Sequence, residues 1–260
     1  MRQILRFVLP SARVLAALAG AIGIWGLLSL HHVFPSYAVP SPSAVWKAFL
    51  YTWRHGYLNE TMPQDLLASL TRVTVGFLGA VVVGVPLGLA MAESRIVHSI
   101  VDPFLQLGRP VPPLAYIPLF VVWFGLGEFP KDLLIAVGTL PVIVITVIGG
   151  VRKVPQLRYE VAKSLGANRR QLFTRVTLPS VLPDVFTAMR VGIGVAWGTL
   201  VAAELIAASV GLGWLVEQAA NQLQTAIVMA TIIVIGLTGY AMELLIRIGE
   251  YFAVPWRGRV

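Results

Sequence analysis

Long apolar runs joined by short polar connections constrain this chain more than any other feature. Six stretches approach the roughly 20 residues that a helix needs to cross a bilayer. They are Val14–Leu30, Val73–Ala92, a run within Ile100–Leu126, Leu133–Gly150, Ala188–Ala208 and Ala226–Ile246. In hydrocarbon every backbone N–H and C=O must find its partner inside the protein, which leaves helices and closed barrels. These runs are too long and continuous for barrel strands, so the sequence predicts an all-α membrane protein with six transmembrane helices. Composition agrees: 12% of the 260 residues are charged, against about 25% in a soluble domain. The chain has no cysteine, which excludes disulfides, thiol catalysis and cysteine-based metal sites. Arg2, Arg6 and Arg13 precede the first run, as in a secretory signal. However, Val14–Leu30 is long for a signal, and His31-His32-Val-Phe-Pro is no small-residue cleavage site, so a retained first span is expected.

The net charge of +8 reports topology first, and nucleic-acid binding is a poor reading of it. An even number of crossings places both ends of the chain on one side. That side collects Arg2, Arg6, Arg13, Arg95, the seven basic residues from Arg152 to Arg175, Arg247, Arg257 and Arg259. The other side holds Lys47, Arg54 and Lys131, with Arg72 at a boundary. The bias predicts cytoplasmic termini, a cytoplasmic segment over residues 151–183, and an extracytoplasmic connection over residues 31–64. In that connection Ser43 suits the N-cap of an amphipathic helix, and Trp46 and Trp53 suit the membrane interface. Trp25, Trp123, Trp214 and Trp256 fall near span ends, where anchoring is the expected role. The sequence reads as a single membrane domain, residues 1–260.

Inside the spans, Gly84/Gly88 and Gly194/Gly198 have the spacing that lets helices approach closely. Packing within one bundle is the preferred reading; a contact between two copies is the other. Pro110, Pro112, Pro113 and Pro118 cannot sit in an unbroken helix. Irregular backbone at membrane depth is tolerated beside protein or a water-filled cavity. The third span is therefore expected to bend where it lines a path, while Pro86 and Pro141 predict milder kinks. Two charges lie within apolar surroundings, Arg109 and Glu204, and such residues face the bundle or a cavity. Arg109, with Pro112 and Trp123 nearby, is a candidate for an anion path, and Glu204 for a partner or gate element. A structural pair, or an Arg reaching toward the interface, is the alternative.

Catalytic signatures are missing. There is no G-x-x-x-x-G-K-[ST], indeed no Gly-Lys pair, and neither H-E-x-x-H nor G-x-S-x-G. The chain has no visible means of hydrolysing ATP, and its histidines make no helical metal-ligand pair. The informative polar stretch is Glu160-Val-Ala-Lys-Ser-Leu-Gly166-Ala-Asn-Arg-Arg-Gln-Leu-Phe-Thr-Arg-Val-Thr-Leu178-Pro179. Gly166 can end a first short helix through a left-handed residue, Asn168 can cap a second from Arg169 to about Thr177, and Leu178-Pro179 is expected to stop it. On physics alone this is an amphipathic interfacial loop or a rigid element that transmits a push from a partner.

The spacing resembles the E-A-A-x(3)-G-x(9)-I-x-L-P signature of ABC importer permeases. Glu160, Ala162, Gly166, Leu178 and Pro179 match it; Val161 and Val176 are mild departures. Ser69-Leu-Thr-Arg72-Val-Thr-Val-Gly76, Arg109-Pro-Val-Pro-Pro-Leu-Ala-Tyr-Ile-Pro118, Trp123-Phe-Gly-Leu-Gly-Glu128 and Thr199-Leu-Val-Ala-Ala-Glu204 look like the nitrate/sulfonate/taurine branch, with the Arg109–Glu128 stretch most similar to taurine permeases. The resemblance implies the MetI-like fold of a type I importer in the inner membrane. It implies two copies of this chain around a pathway, two ATPase subunits that bind ATP and magnesium, and a soluble substrate-binding protein. It assigns ATPase docking to Glu160, Ala162, Gly166, Ala167, Arg169, Arg170, Leu178 and Pro179. No cofactor or metal is implied for this chain itself. The solute implied is taurine or another aliphatic sulfonate, with nitrate or bicarbonate behind. A secondary transporter driven by an ion gradient is the rival class, and a membrane scaffold without transport a third. Neither needs an ATPase dock.

Overall fold

A computed structural model describes residues 12–31, 33–35, 37–58 and 60–256. Arg2, Arg6, Arg257 and Arg259, which contribute to the orientation argument, and His32 lie outside the described residues. Among the described residues there is no strand. The helices are α1 (Ala12–Leu30), α2 (Pro42–His55), α3 (Met62–Glu93), α4 (Arg95–Gly108), α5 (Ile117–Phe124), α6 (Glu128–Arg152), α7 (Gln156–Ser164), α8 (Arg169–Gln171), α9 (Leu178–Ala207), α10 (Leu212–Asn221) and α11 (Thr225–Ala253). A 3-10 turn (Pro113–Tyr116) precedes α5, and a π-turn (Leu172–Thr177) joins α8 to α9.

Among the described residues, four stretches are long and apolar enough to cross a bilayer unbroken: α3, α6, the continuous helix Arg169–Ile206, and α11. The expected third span is broken, as its prolines require. The Arg95–Gly108 and Pro113–Phe124 pieces meet at 93°. Pro86 and Pro141 lie inside unbroken α3 and α6. In α1 the qualifying apolar stretch, Ala19–Leu30, is shorter than a full crossing. Two local expectations need correction. The cap of α2 is Ser41, whose hydroxyl accepts from the Ala44 N–H, and not Ser43. Pro42 decides this, because its fixed φ and missing N–H suit the first helical position. The helix expected to stop at Leu178-Pro179 continues through them.

The described residues group into two compact units, one drawn from Met1–Thr71 and Val201–Leu244, the other from Arg72–Leu200 and Leu245–Val260. In the second unit, glycines set the contact between α3 and α6. A Cβ on Gly76 would lie 2.6 Å from Ile135 Cβ and 2.7 Å from the Asp132 carbonyl oxygen. On Gly84 it would meet Ile143 at 3.0 Å, and on Gly88 Val147 at 2.9 Å. The partners of residues 76, 84 and 88 are thus 135, 143 and 147, a constant offset in ascending order. So α3 and α6 run parallel, and the broken 94–127 segment must carry the chain back along their length. Gly138, Gly192 and Gly150 then pack against Thr199, Ile143 and Asp184, in descending order, so α9 runs antiparallel to α6.

This arrangement separates charge. Arg95, Arg152 and the 153–175 segment gather at the end where α3 and α6 finish. At the other end Arg72, buried and not merely at a boundary, pairs with Glu128 through Nε and through Nη2 at 3.1 Å. Lys131 Nζ lies 2.9 Å from the same carboxylate. The Arg72–Glu128 pair spans 56 residues of sequence, so no local pattern announces it.

The first unit holds a helix that the sequence did not announce, α10. Its N-terminal amides are each tied to a side chain. Gly211 N–H donates to Asp65 Oδ1 (2.8 Å), Leu212 N–H to Ser69 Oγ (2.9 Å) and Gly213 N–H to Glu204 Oε2 (2.9 Å). Ser69 Oγ in turn donates to the Glu204 carboxylate at 2.8 Å. Asp65, Ser69 and Glu204 are fully buried. Negative charge and acceptors at a helix N-terminus satisfy donors that the helix itself cannot. Tyr57 O–H holds the other end through Gln222 Oε1 at 2.7 Å.

Two outcomes follow. Gly76→Ala and Gly79→Ala gain the same helix propensity, but a Cβ on Gly79 meets only Ala136 Cβ, at 3.9 Å. Gly76→Ala should therefore be less stable than Gly79→Ala by about 1–3 kcal/mol, the cost of overpacking, measured by thermal unfolding in detergent. Equal midpoints would contradict the seam. In the same assay Glu204→Ala should cost about 1–3 kcal/mol or more, because it strands buried donors, and Glu204→Gln should cost less.

Candidate functional site

The segment between α6 and α9 is built from short, well-terminated pieces. Helix α7 ends in a double backbone closure: Gly166 N–H bonds to the Lys163 carbonyl (2.9 Å) and Ala167 N–H to the Ala162 carbonyl (3.0 Å). Gly166 has φ +80°, a left-handed conformation that costs a side-chain-bearing residue about 1–2 kcal/mol. Two residues later Asn168 caps α8 reciprocally. Its Oδ1 accepts from Gln171 N–H and Gln171 Oε1 accepts from Asn168 N–H, both at 2.9 Å. The turn between α7 and α8 is therefore fixed by backbone and cap bonds with no slack residue.

At Pro179 the helix continues and does not stop. Proline offers no N–H, and its ring would crowd the carbonyl four residues back. The chain solves this by widening first: Leu172–Thr177 form a π-turn, and Leu178 N–H bonds to the Phe173 carbonyl, five residues back. The result is one helix from Arg169 to Ile206, 38 residues long. α8, the π-turn and α9 thus share one continuous helical backbone.

Several side chains fasten this segment to the helix ends. Tyr159 O–H lies 3.1 Å from Thr177 Oγ1, and the Thr177 hydroxyl donates to Glu93 Oε1, at the end of α3, at 3.3 Å. Arg158 Nη1 donates to Ser180 Oγ at 3.2 Å, and Lys153 pairs with Asp184 at 3.0 Å. Trp256 Nε1 donates to the Pro179 carbonyl at 3.3 Å. Sequence reasoning missed these contacts because the partners lie far apart in the chain. It placed Glu160, Gly166, Arg169, Arg170 and Leu178 in the segment, and all are exposed; Ala162, Ala167 and Pro179 are half-buried.

One face of α7 is unusual for a polar helix. Leu157, Val161 and Leu165 recur every fourth residue and are 67%, 51% and 83% exposed. They form an apolar stripe on one side of the helix. Arg158, Lys163, Arg169, Arg170 and Arg175 of the same segment are exposed as well. An exposed apolar row on a polar helix is a surface suited to protein contact.

The expected pathway residues divide. Arg109 caps the end of α4 at the bend and is exposed, with Pro112 leading into the 3-10 turn. Trp123, 61% exposed near the end of α5, stacks with Phe120 at a centroid distance of 6.3 Å. These three share the broken segment. Glu204 is instead buried and bonded to Ser69 and Gly213. Among the described residues no group of His, Asp and Glu is placed to hold a metal ion.

Comparison with known proteins places this geometry. Residues 84–250 match the family described as "Binding-protein-dependent transport system inner membrane component". The "Taurine transport system permease protein TauC" of Escherichia coli (strain K12) is 42% identical over 236 residues, 91% of this chain and 86% of that one. The "Putative aliphatic sulfonates transport permease protein SsuC" of Bacillus subtilis (strain 168) is 33% identical over 236 residues, 91% of this chain and 84% of that one. The inward-facing MetNI methionine ABC transporter shares the fold, with a TM-score of 0.59 at 20% identity, over 72% of this chain and 94% of that one. With the helix order, the family match and these relatives together, the chain belongs to the inner-membrane permeases of binding-protein-dependent ABC importers, in the taurine, sulfonate and nitrate branch.

Proposed function

We propose that two copies of this chain form the pathway of an ATP-driven importer for a small anionic or zwitterionic solute, with taurine or another aliphatic sulfonate favoured. The observation that carries the ATPase part is the exposed stripe Leu157, Val161 and Leu165 on a helix outside the spans. Exposed apolar side chains in regular array mark a protein interaction surface. Arg169 and Arg170 support this reading, because cations in a first helical turn oppose the helix dipole and gain nothing for the helix. A partner's carboxylates or carbonyls would give them a task.

On this reading the docked ATPases supply ATP and magnesium, and their closure presses on α7. The double closure at Gly166 and the cap at Asn168 pass the force to α8 without bending, and the π-turn passes it into α9. The segment is cytoplasmic, both termini lie on that side, and a soluble binding protein delivers solute to the opposite face. The preference for a sulfonate rests on the names of the relatives and on Arg109 at the bend of the broken span, where a cation suits an anion in transit.

Three variants test the proposal. Val161→Asp should cost docking on the order of 2 kcal/mol, more than tenfold in affinity, so the ATPase subunits should no longer copurify. Gly166→Pro cannot adopt the positive φ and loses an N–H that is bonded. It should retain membrane insertion but separate ATP hydrolysis from uptake. Arg109→Ala should lower uptake of a radiolabelled sulfonate in proteoliposomes. Normal uptake with Gly166→Pro would contradict the lever, and normal uptake with Arg109→Ala would remove that residue from the path. Uptake by the chain without ATPase subunits would favour a gradient-driven carrier.

A further inference from the structure

Where α3 ends, α4 begins and α6 ends, the second unit has an open cleft of about 450 Å³ lined by Met91, Ala92, Glu93, Arg95, His98, Ser99 and Arg152. The proposed transport cycle uses none of its basic residues. Arg95 and Arg152 are both exposed. Arg152 Nη2 lies 3.1 Å from His98 Nε2. A guanidinium only donates, so the imidazole Nε2 is the acceptor, and most of the Arg152 donors stay available. The one acid of the cleft, Glu93, already accepts from Thr177.

Helix α4 adds a second, independent feature. Ile96, Ile100, Phe104 and Leu107 are 72%, 59%, 74% and 76% exposed and share one face of the helix. The stripe starts one residue after Arg95 and runs from the cleft toward the break of the span. Arg152 is the last residue of α6, a helix long and apolar enough to cross a bilayer, and a crossing by α6 would put the cleft at headgroup depth. Two guanidinium groups at that depth, with an apolar strip leading away along the helix, match the two parts of an anionic phospholipid. Arginine forks suit phosphate oxygens, and basic pockets between spans suit acidic headgroups.

We propose that this cleft binds the phosphate of an anionic phospholipid, with its acyl chains lying along α4. A free anion would occupy the cleft but has no use for the stripe. A zwitterionic lipid would bring its amine toward Arg95 and Arg152.

Native mass spectrometry of the full-length chain in detergent, titrated with dioleoyl phosphatidylglycerol or dioleoyl phosphatidylcholine, tests this. One phosphatidylglycerol should be retained in preference to phosphatidylcholine. Arg95→Ala with Arg152→Ala should weaken phosphatidylglycerol binding roughly 10- to 30-fold, the effect expected of two surface cations. The matching pair of Arg→Lys changes should retain most of the binding. Ile100→Asn with Leu107→Asn should also weaken it, at an unchanged thermal midpoint. Equal retention of the two lipids by the unmodified chain, or undiminished binding in the double alanine variant, would overturn the proposal. Loss of the preference in millimolar inorganic phosphate, with no effect of the stripe variant, would make it a free-anion site and overturn it equally.

Discussion

The contact between α3 and α6 is the constraint on which the second unit depends. Glycines 76, 84 and 88 present bare backbone to Ile135, Ile143 and Val147, close enough that a methyl group would collide. In lipid no hydrophobic effect drives helices together, so close packing of small residues supplies much of the attraction. The ascending register makes these two helices parallel, and parallel neighbours need a connection that crosses back. The prolines of residues 110–118 bend that connection without sparing it the crossing. Everything polar at the other end follows from this: Glu93, Arg95 and Arg152 come together because α3 and α6 finish side by side.

From that shared end the 153–177 segment takes its footing. The Tyr159–Thr177–Glu93 chain and the Lys153–Asp184 pair fasten it to the ends of α3 and α9. Its inner joints are backbone bonds and a reciprocal cap, which resist bending better than side-chain packing alone. A stiff element with one exposed apolar face is suited to receive force from another protein. In the first unit Asp65, Ser69 and Glu204 play a comparable part, fixing α10 by its N-terminal amides. Their engagement explains how a carboxylate can sit among Leu, Val and Ala: it replaces water with three donor contacts from Ser69 and Gly213.

How much of this could be read from the sequence depends on the range of each interaction. Four unbroken spans and the broken one followed from hydropathy, and the turn at Gly166 and the cap at Asn168 from local chemistry, because each is decided within a few residues. Ser41 displaces Ser43 as the cap because the adjacent Pro42 suits the first helical position. Pro179 was expected to stop a helix, but a π-turn upstream moved the offending carbonyl aside, and no residue in Leu172–Thr177 advertises that. Helix α10 escaped notice because its ten residues are short and its anchors, Asp65 and Ser69, lie more than 140 positions away. The Arg72–Glu128–Lys131 group was invisible for the same reason. In the 151–183 segment the turn and the cap were legible, but the apolar stripe of α7 appears only with exposure.

Docking of an ATPase on α7 requires that this helix stand in water on the cytoplasmic side. The chain has no cysteine, so Val161→Cys introduces a single thiol at the middle of the stripe. Labelling that thiol with a membrane-impermeant maleimide, in intact cells and in inverted membrane vesicles, is the most direct measurement. Labelling is expected in inverted vesicles alone, reduced when the ATPase subunits are present. Labelling from outside intact cells, or labelling in vesicles indifferent to the ATPase, would contradict it.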